Sequence, residues 1–312
     1  MQQRILQPGE IETLDRTRLP RLRLPQPHSL FAERAARLRQ LAEGNPIADY
    51  LRFAARLADA QHAAAQRLAA QLPAERPDDA AIARARQHGM PLLPAAAELP
   101  PGWRDALLQL LDALDPAAET PAPLRREIAR LRALPADEQE ARAGLARGGL
   151  LAPEDAAWAP LLMAALQVGH ALRAGRLHEA DVPATAPAPL CPVCGTAPVA
   201  GVLRLGSDTA GLRHLHCGLC AAEWHMVRIK CSHCESTAGV RYQGIAGGNG
   251  TVLAETCDAC GCYRKQVDQH KDPLAEPLAD DLASLTLDLL MGETRYARAS
   301  AHPLLQLAAP GG

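Results

Sequence analysis

The chain has 312 residues, of which 48% are hydrophobic and 22% charged, and its formal net charge is -2. A length of about 150 residues per domain predicts two domains, and the composition excludes wholesale disorder. The near-neutral charge disfavours a dominantly basic nucleic-acid-binding protein and a polybasic membrane-surface protein.

The sequence predicts a cytoplasmic protein without membrane insertion. Residues 1–7 lack the apolar segment of about 7–15 residues found in a signal peptide. The longest apolar stretch, residues 156–169, is shorter than the roughly 20 residues that cross a bilayer. Thiols stay reduced in the cytoplasm, so clustered cysteines there indicate metal ligands before disulfides.

The first 180 residues predict an extended arm and then an all-α domain. The prolines at positions 8, 20, 25 and 27 indicate an arm over residues 1–27, and residues 28–180 form the predicted helical domain. Ser29 is the expected cap of a first helix, and Asn45-Pro46 is the expected start of a second that ends near Leu72. Five more helices are predicted near residues 79–88, 102–115, 122–134, 137–147 and 153–176, which makes a bundle of six or seven helices.

A Pro/Ala-rich linker at residues 181–190 separates this domain from a cysteine-rich region. Two modules follow, residues 191–230 and residues 231–272, and then a C-terminal helix and tail at residues 273–312. Strands are predicted near residues 199–205, 212–216, 222–229, 240–245, 251–256 and 262–267. In the last helix Leu278, Leu282, Leu285 and Leu289 form one apolar stripe, and Gly292 is the expected stop.

The cysteine spacing indicates an internal duplication. Four Cys-x-x-Cys (CxxC) pairs occur, and each cysteine of the first two pairs recurs 40 positions later in the last two. Two such turns joined by a short sheet place four thiolates around one ion. The candidate metal ligands are therefore Cys191, Cys194, Cys217, Cys220, Cys231, Cys234, Cys257 and Cys260.

The spacing leaves two points open. Pairing the first CxxC with the second and the third with the fourth keeps each repeat intact, but a swapped pairing is also compatible with the spacing. Zinc and iron both bind four thiolates in tetrahedral geometry. Thioredoxin-like chemistry is disfavoured, because it requires one CxxC at the start of a helix in a βαβ pattern.

Several neighbouring residues are assigned structural roles. His214, His216, His225 and His233 lie beside the cysteines but are not needed as ligands, because eight cysteines complete two sites. Trp224 is expected to cover a metal site with apolar surface. Cys262 is expected to be a small buried thiol, with a redox or exchange-labile thiol as the alternative. Asp280 and Asp281 are expected to complement the dipole of the last helix rather than to act in catalysis.

Five segments resemble those of the formate dehydrogenase accessory protein family, FdhE. They are residues 191–195 (CPVCG), 215–220 (LHCGLC), 223–235 (EWHMVRIKCSHCE), 254–260 (AETCDAC) and 272–293 (DPLAEPLADDLASLTLDLLMGE). The close resemblance spans about residues 190–293, and Cys262 departs from the family pattern. The fold class is therefore expected to be multi-domain α+β: an all-α N-terminal domain, two tandem rubredoxin-like or zinc-ribbon-like four-cysteine modules, and a C-terminal helix.

The resemblance implies a cytoplasmic, non-catalytic factor for the maturation of respiratory formate dehydrogenases. It implies contact with the formate dehydrogenase catalytic subunit, and it assigns the eight paired cysteines as ligands of two metal ions, with iron favoured over zinc. The oligomeric state stays open, with a homodimer as one option.

Two other functions compete with this interpretation. The first is a redox or electron-transfer protein that uses iron in its four-cysteine sites. The second is a nucleic-acid-binding zinc ribbon, which is disfavoured because the basic residues are interleaved with acidic ones. Those basic residues are Arg213, Arg228, Lys230, Arg241, Arg264 and Lys265.

Overall fold

The computed structural model describes residues 20–72, 77–115, 120–186, 188–206 and 211–305. Most of the predicted arm, residues 1–19, and the end of the predicted tail, residues 306–312, lie outside the described residues. The fold is α+β, as predicted, with a helical N-terminal region followed by a mixed sheet that carries two four-cysteine groups.

The helical region is a bundle around a nearly fully buried helix. Its helices are α1 (Pro27–Ala42), α2 (Ala48–Gln71), α3 (Asp79–His88), α4 (Trp103–Leu114), α5 (Ala122–Ala133), α6 (Ala136–Gly148) and α7 (Ala159–Ala174). Helix α7 is apolar on all sides and buried along almost its whole length, as expected for a central helix. Within the described ranges, no helix combines the length and the apolar character needed to cross a bilayer.

Three helix boundaries differ from the predictions. Helix α1 begins at Pro27, and Ser29 does not cap it, because a proline suits the first helical turn. The Asn45 side-chain oxygen accepts a hydrogen bond from the Ile47 amide at 3.1 Å and so closes a turn just before α2. The predicted helix over residues 153–176 is a 3-10 turn, Pro153–Trp158, followed by α7.

The described part of the arm and the linker pack against the rest of the protein. Strand β1 (Leu22–Arg23) pairs antiparallel with the sheet, with Leu22 opposite Trp224. The Arg21 guanidinium donates a hydrogen bond to the carbonyl of Val182 at 2.5 Å. Asp181, Val182 and Pro183 of the linker are buried, whereas Ala184, Ala186 and Ala188 are exposed.

A single sheet contains both cysteine-rich modules. Its strands are β2 (Pro198–Leu203), β3 (Arg213–Cys217), β4 (Glu223–His225), β5 (Val240–Gln243), β6 (Val252–Cys257), β7 (Cys262–Asp268) and β8 (Ala297–Arg298), together with β1. The order is β1-β4-β3-β2-β7-β6-β5, and β8 pairs with β7. Parallel pairing of β2 with β7, with Gly201 opposite Gln266, joins the first module to the second.

The predicted C-terminal helix is broken in two, into α8 (Pro277–Ala283) and α9 (Leu285–Gly292). The cause is the buried Lys265 ammonium, which donates hydrogen bonds to the carbonyls of Asp281 at 2.6 Å and Ser284 at 3.1 Å. These carbonyls would accept helical amides if the helix continued. The predicted apolar stripe is therefore wrong beyond the break: Leu278 and Leu282 are buried, but Leu289 is 70% exposed.

Buried ion pairs attach this C-terminal segment to the rest of the chain. Asp280 accepts two hydrogen bonds from Arg37 of α1, at 2.9 and 2.6 Å. Asp281 pairs with Lys265 at 3.2 Å and with Arg298 at 2.5 Å. The expectation that these two aspartates only complement a helix dipole is wrong, because both side chains are fully enclosed and paired with cations from other elements.

Replacing Lys265 with methionine should destabilise the protein. Asp281 and Asp288 would lose the ammonium that lies 3.2 and 2.5 Å from their carboxylate oxygens. Arg298 is the cation among the described residues that would still pair with both carboxylates. Breaking a buried ion pair costs about 3–5 kcal/mol, and we expect a loss near 3 kcal/mol in denaturant unfolding. Lys271→Met removes an exposed lysine and is the control; equal unfolding midpoints for the two variants would contradict the role of Lys265.

His302 should make stability depend on pH. Its Nε2 bonds the Leu278 carbonyl at 3.1 Å, its Nδ1 accepts from the Leu304 amide at 3.1 Å, and burial lowers its pKa to about 4 from 6.5. The neutral form is the one that the fold stabilises, so its contribution is complete above pH 6.5 and is lost as the pH falls toward 4. This loss amounts to about 3 kcal/mol.

The measurement is the free energy of unfolding across that pH range. His302→Asn should lower stability at neutral pH and flatten the acid limb relative to wild type. His28→Asn, at an exposed histidine, should retain the wild-type slope. Parallel curves for wild type and His302→Asn would show that His302 does not titrate with folding.

Candidate metal centre

The eight paired cysteines meet in two groups of four, which we call the first cluster (Cys191, Cys194, Cys217, Cys220) and the second cluster (Cys231, Cys234, Cys257, Cys260). This is the grouping that keeps each sequence repeat intact. Within each group the Sγ atoms all lie within 4.8 Å of one another, and all eight cysteines are free thiols.

The sulfur spacing fits a tetrahedral metal ion. Four sulfurs at 2.3 Å from a central ion lie about 3.8 Å apart, whereas disulfide sulfurs are about 2.0 Å apart. In the second cluster the Cys231–Cys260 and Cys234–Cys257 Sγ distances are both 3.8 Å. In the first cluster the corresponding distances are 3.6 and 3.4 Å. Each cluster therefore has room for one ion, and a bound ion would supply the positive charge that stabilises four thiolates.

Each CxxC turn closes with the same backbone conformation. The residue after the second cysteine has a positive φ in all four turns: Gly195 at 79°, Ala221 at 59°, Glu235 at 61° and Gly261 at 67°. The left-handed conformation costs an L-residue about 1–2 kcal/mol, and Ala221 and Glu235 adopt it nevertheless. The turn enforces it because the amide of this residue must bond the carbonyl of the first cysteine, as Gly195 does to Cys191 at 2.8 Å.

The turns also direct backbone amides at sulfur. The amides of Leu219 and Cys220 lie 3.4 and 3.3 Å from the Cys217 Sγ, and the His233 amide lies 3.3 Å from the Cys231 Sγ. Such donors stabilise negative charge on a thiolate.

Burial and the neighbouring thiols set the charge of the first cluster. Burial raises the pKa of Cys191 and Cys220. Burial also opposes ionisation of Cys217, but hydrogen bonds from the thiols of the other three cysteines overcome it and hold the pKa of Cys217 well below its usual value. In the absence of a cation, burial therefore opposes ionisation of Cys191 and Cys220. A metal ion is the partner that allows all four to ionise.

The two clusters differ in exposure. All four cysteines of the first cluster are at most 3% exposed. In the second cluster Cys231 and Cys257 are buried, but Cys234 is exposed and Cys260 is partly exposed.

The helical domain covers the first cluster. The amides of Leu92, Leu93 and Ala95 donate hydrogen bonds to the carbonyls of residues 192, 193 and 194, at 3.1, 2.7 and 2.9 Å. Gln167 of α7 donates to the carbonyl of Gly218, in the second turn of the cluster, at 2.6 Å. Sequence reasoning missed these covering residues, because neither Leu92–Ala95 nor Gln167 belongs to a motif.

The histidines beside the cysteines lie outside both four-sulfur groups. His214 bonds the Pro20 carbonyl at 3.0 Å, and its ring meets that of His225 edge to face at 5.9 Å. His216 pairs through Nδ1 with Glu223 at 2.8 Å. The nearest contact of His233 to a cluster is its backbone amide.

Trp224 and Cys262 also have defined surroundings. Trp224 belongs to the apolar core that includes Cys191 and Cys194, and its indole N–H donates to the Ala188 carbonyl at 2.9 Å. The Cys262 Sγ lies 3.7 Å from the Cys260 carbonyl and outside the second cluster. This thiol is half-buried and not enclosed as expected.

Half of the basic residues weighed for nucleic-acid binding are inside the protein. Arg213, Arg264 and Lys265 are each at most 3% exposed. Arg213 pairs with Glu255 and Lys265 with Asp281, so these charges are neutralised within the fold. They do not contribute a positive surface of the kind that contacts phosphates.

The fold and the two clusters define a class: proteins in which a helical domain covers one of two tandem four-cysteine modules. Three family profiles match the chain in succession. They are the FdhE N-terminal domain over residues 19–186, the central domain over residues 190–228 and the C-terminal domain over residues 229–305.

Relatives agree over the full length. A "Protein FdhE homolog" of Pseudomonas aeruginosa is 41% identical, with 100% of both chains covered. "Protein FdhE" of Escherichia coli strain HS is 38% identical, over 95% of this chain and 94% of the relative. The crystal structure of the FdhE protein from Pseudomonas aeruginosa matches with a TM-score of 0.76 and 39% identity, covering 94% of this chain and 100% of that one. The chain belongs to the FdhE family.

Two glycine substitutions should distinguish two effects on stability: the contact between the helical domain and the first cluster, and the backbone conformation of the CxxC turn. An added Cβ at Gly195 would lie 2.9 Å from the Pro91 side chain, whereas a Cβ at Gly261 would meet no atom within 4 Å. Both alanines must adopt a positive φ, at a cost of about 1–2 kcal/mol. We expect Gly195→Ala to lower the free energy of unfolding by a further ~1 kcal/mol or more, because the added methyl group overpacks against Pro91.

The measurement is thermal or denaturant unfolding of the metal-loaded protein, with Gly261→Ala as the matched control. Equal losses of unfolding free energy in the two variants would show that Pro91 does not pack closely against the first CxxC turn.

Proposed function

We propose that this chain is a cytoplasmic, non-catalytic accessory protein for the maturation of respiratory formate dehydrogenase, and that it binds the catalytic subunit through its cysteine-rich domain. Family identity supports the coarser statement, that this is a formate dehydrogenase accessory protein of the FdhE type. The finer statement, contact with the catalytic subunit, is the proposal.

One observation carries the proposal: a chain matched by FdhE profiles from residue 19 to residue 305 also forms both four-sulfur clusters with tetrahedral spacing. The clusters fix the turns of the sheet. Ion pairs such as Arg34–Glu276 at 3.1 Å fix the helical domain against the C-terminal segment that follows the second module. This gives a rigid surface, which a partner-binding protein needs in order to limit the entropy lost on association.

The junction of the two domains offers a polar recess for part of the partner. A cavity of about 580 Å³ lies between the arm, α1 and the sheet. Its walls include Arg23, Arg204, His216 and Glu223, so cationic and anionic groups occur side by side. Such a mixed surface is typical of the polar part of a protein interface.

The proposed metal ligands are the eight cysteines of the two clusters, one ion each, with iron favoured over zinc by the family resemblance. The sulfur geometry supports two sites and is compatible with either metal.

The test is co-purification with the formate dehydrogenase catalytic subunit. The double variant Cys231→Ser/Cys234→Ser should lose the co-purifying subunit and yield inactive formate dehydrogenase, because the second cluster no longer holds its turns. Cys262→Ser, which changes a cysteine outside both clusters, should behave as wild type.

Circular dichroism of the double variant separates loss of a surface from loss of the fold, since Cys231 and Cys234 lie outside the apolar core that contains the helical domain. A folded double variant that still binds the subunit and still supports formate dehydrogenase activity would refute the proposal.

The exposure of Cys234 favours one alternative, an iron-dependent redox or electron-transfer protein. A metal near the surface exchanges electrons faster than an enclosed one, because the partner comes closer. Reversible one-electron titration of an iron–thiolate absorption band, coupled to turnover of a partner, would support this alternative. A zinc-loaded protein that remains fully active in formate dehydrogenase maturation would exclude it.

A further inference from the structure

We propose that the two clusters differ in metal exchange: the first retains its ion as part of the fold, and the second exchanges its ion with a thiolate ligand that approaches at Cys234. This inference rests on the metal binding in the proposed function. It adds a metal-exchange site with a defined direction of approach.

The first step of the argument is the difference in access between matched positions. Cys194 is 3% exposed, whereas Cys234, its counterpart 40 residues later, is exposed to solvent. Cys220 is fully buried, whereas its counterpart Cys260 is partly exposed. An incoming ligand can therefore reach the second cluster on one side but cannot reach the first without local unfolding.

The second step is that the cover over the first cluster has no counterpart over the second. Residues 192–194 accept three backbone hydrogen bonds from Leu92, Leu93 and Ala95. Among the described residues, no hydrogen bond reaches the matching carbonyls of residues 232–234. The remaining turn differs in its contacts: the buried Gln167 side chain donates to the Gly218 carbonyl, whereas the counterpart Asp258 bonds through its carboxylate to Arg241, Arg295 and Tyr296, which are all at least partly exposed, and through its amide to the Gly239 carbonyl at 3.1 Å.

The third step is that the inner half of the second cluster is anchored to the first module. Glu255 accepts a hydrogen bond from the Ser232 amide at 3.3 Å, and Arg264 donates to the Ser232 hydroxyl at 3.0 Å. Glu255 is in turn paired with the buried Arg213 of the first module. Cys231, next to Ser232, is thus fixed together with the buried Cys257, while Cys234 lies at the open end of the same turn.

These contacts define the chemistry of exchange. With an ion bound, Cys234 would be the ligand that an incoming thiol displaces first, and Cys260 the second. The thiol would give its proton to the released Cys234 thiolate, so charge and protons would balance and no electron would be transferred. Cys231 and Cys257 would be displaced last.

The experiment uses the full-length protein loaded with zinc, and the probe is an excess of the chromophoric chelator 4-(2-pyridylazo)resorcinol. We expect two zinc equivalents per chain to leave in two phases of equal amplitude that differ at least about tenfold in rate. Cys231→Ser/Cys234→Ser should abolish the fast phase and leave the slow one. Gly195→Ala should accelerate only the slow phase, and Gly261→Ala should leave the slow phase unchanged.

Alkylation provides a measurement that does not depend on a variant's folding. With N-ethylmaleimide in substoichiometric amounts, peptide mass spectrometry should find Cys234 and Cys260 modified before any cysteine of the first cluster. Cys262 reports the reactivity of a thiol outside the clusters in the same sample.

Two kinds of outcome would overturn the inference, and the first is distinct from failure of the proposed function. Equal release rates for the two ions, or release from the first cluster first, would refute differential exchange while leaving a two-metal accessory protein intact. A protein that binds the catalytic subunit but holds no metal would refute the inference through its premise, and it would remove the metal from the proposed function as well.

Discussion

The structure depends on the packing of eight cysteine sulfurs into two groups of four, an arrangement that a cation could neutralise. Eight cysteines converge in two groups, and burial raises the pKa of thiols such as Cys191 and Cys220. Without a metal this arrangement brings ionisable groups together in an apolar core with little compensation. One ion in each group would supply that compensation, and two of the turns, at Cys217–Cys220 and Cys257–Cys260, lie at the end of β3 and between β6 and β7.

A second set of interactions joins the domains, and it consists of buried ion pairs. Arg34 and Arg37 of α1 hold Glu276 and Asp280, and Arg213 of the first module holds Glu255 of the second. Because each of these charged side chains pairs with a partner from a distant segment, the ion pairs fix the relative position of the segments more specifically than apolar contacts alone would. The apolar core itself is continuous, since it contains Phe31 from α1 as well as Cys191 from the first cluster.

The elements with strong local signals were predictable from the sequence, and those made by distant contacts were not. Helix periodicity predicted α4 and α5 within a residue or so, and the 40-residue repeat favoured the grouping of the cysteines that the structure has, while a swapped pairing was also compatible with the spacing. The break at Ser284 was missed, because it depends on Lys265, a residue on another strand. The cover over the first cluster was missed for the same reason, since backbone donors at Leu92 and Leu93 leave no mark in composition or spacing. Asp280 and Asp281 were placed in the last helix as complements of its dipole, but their ion pairs were missed, because Arg37, Lys265 and Arg298 belong to other elements.

The parallel pairing of β2 with β7 has a consequence for biosynthesis. On the ribosome, Gly201 leaves the exit tunnel well before Gln266, its neighbour in the finished sheet. During that interval the first module has its cysteines and its helical cover, but one side of β2 lacks a neighbouring strand. An unpaired central strand invites association with other nascent chains. Long-range closure of this kind is slow, so one side of β2 stays unpaired until β7 has been synthesised and pairs with it.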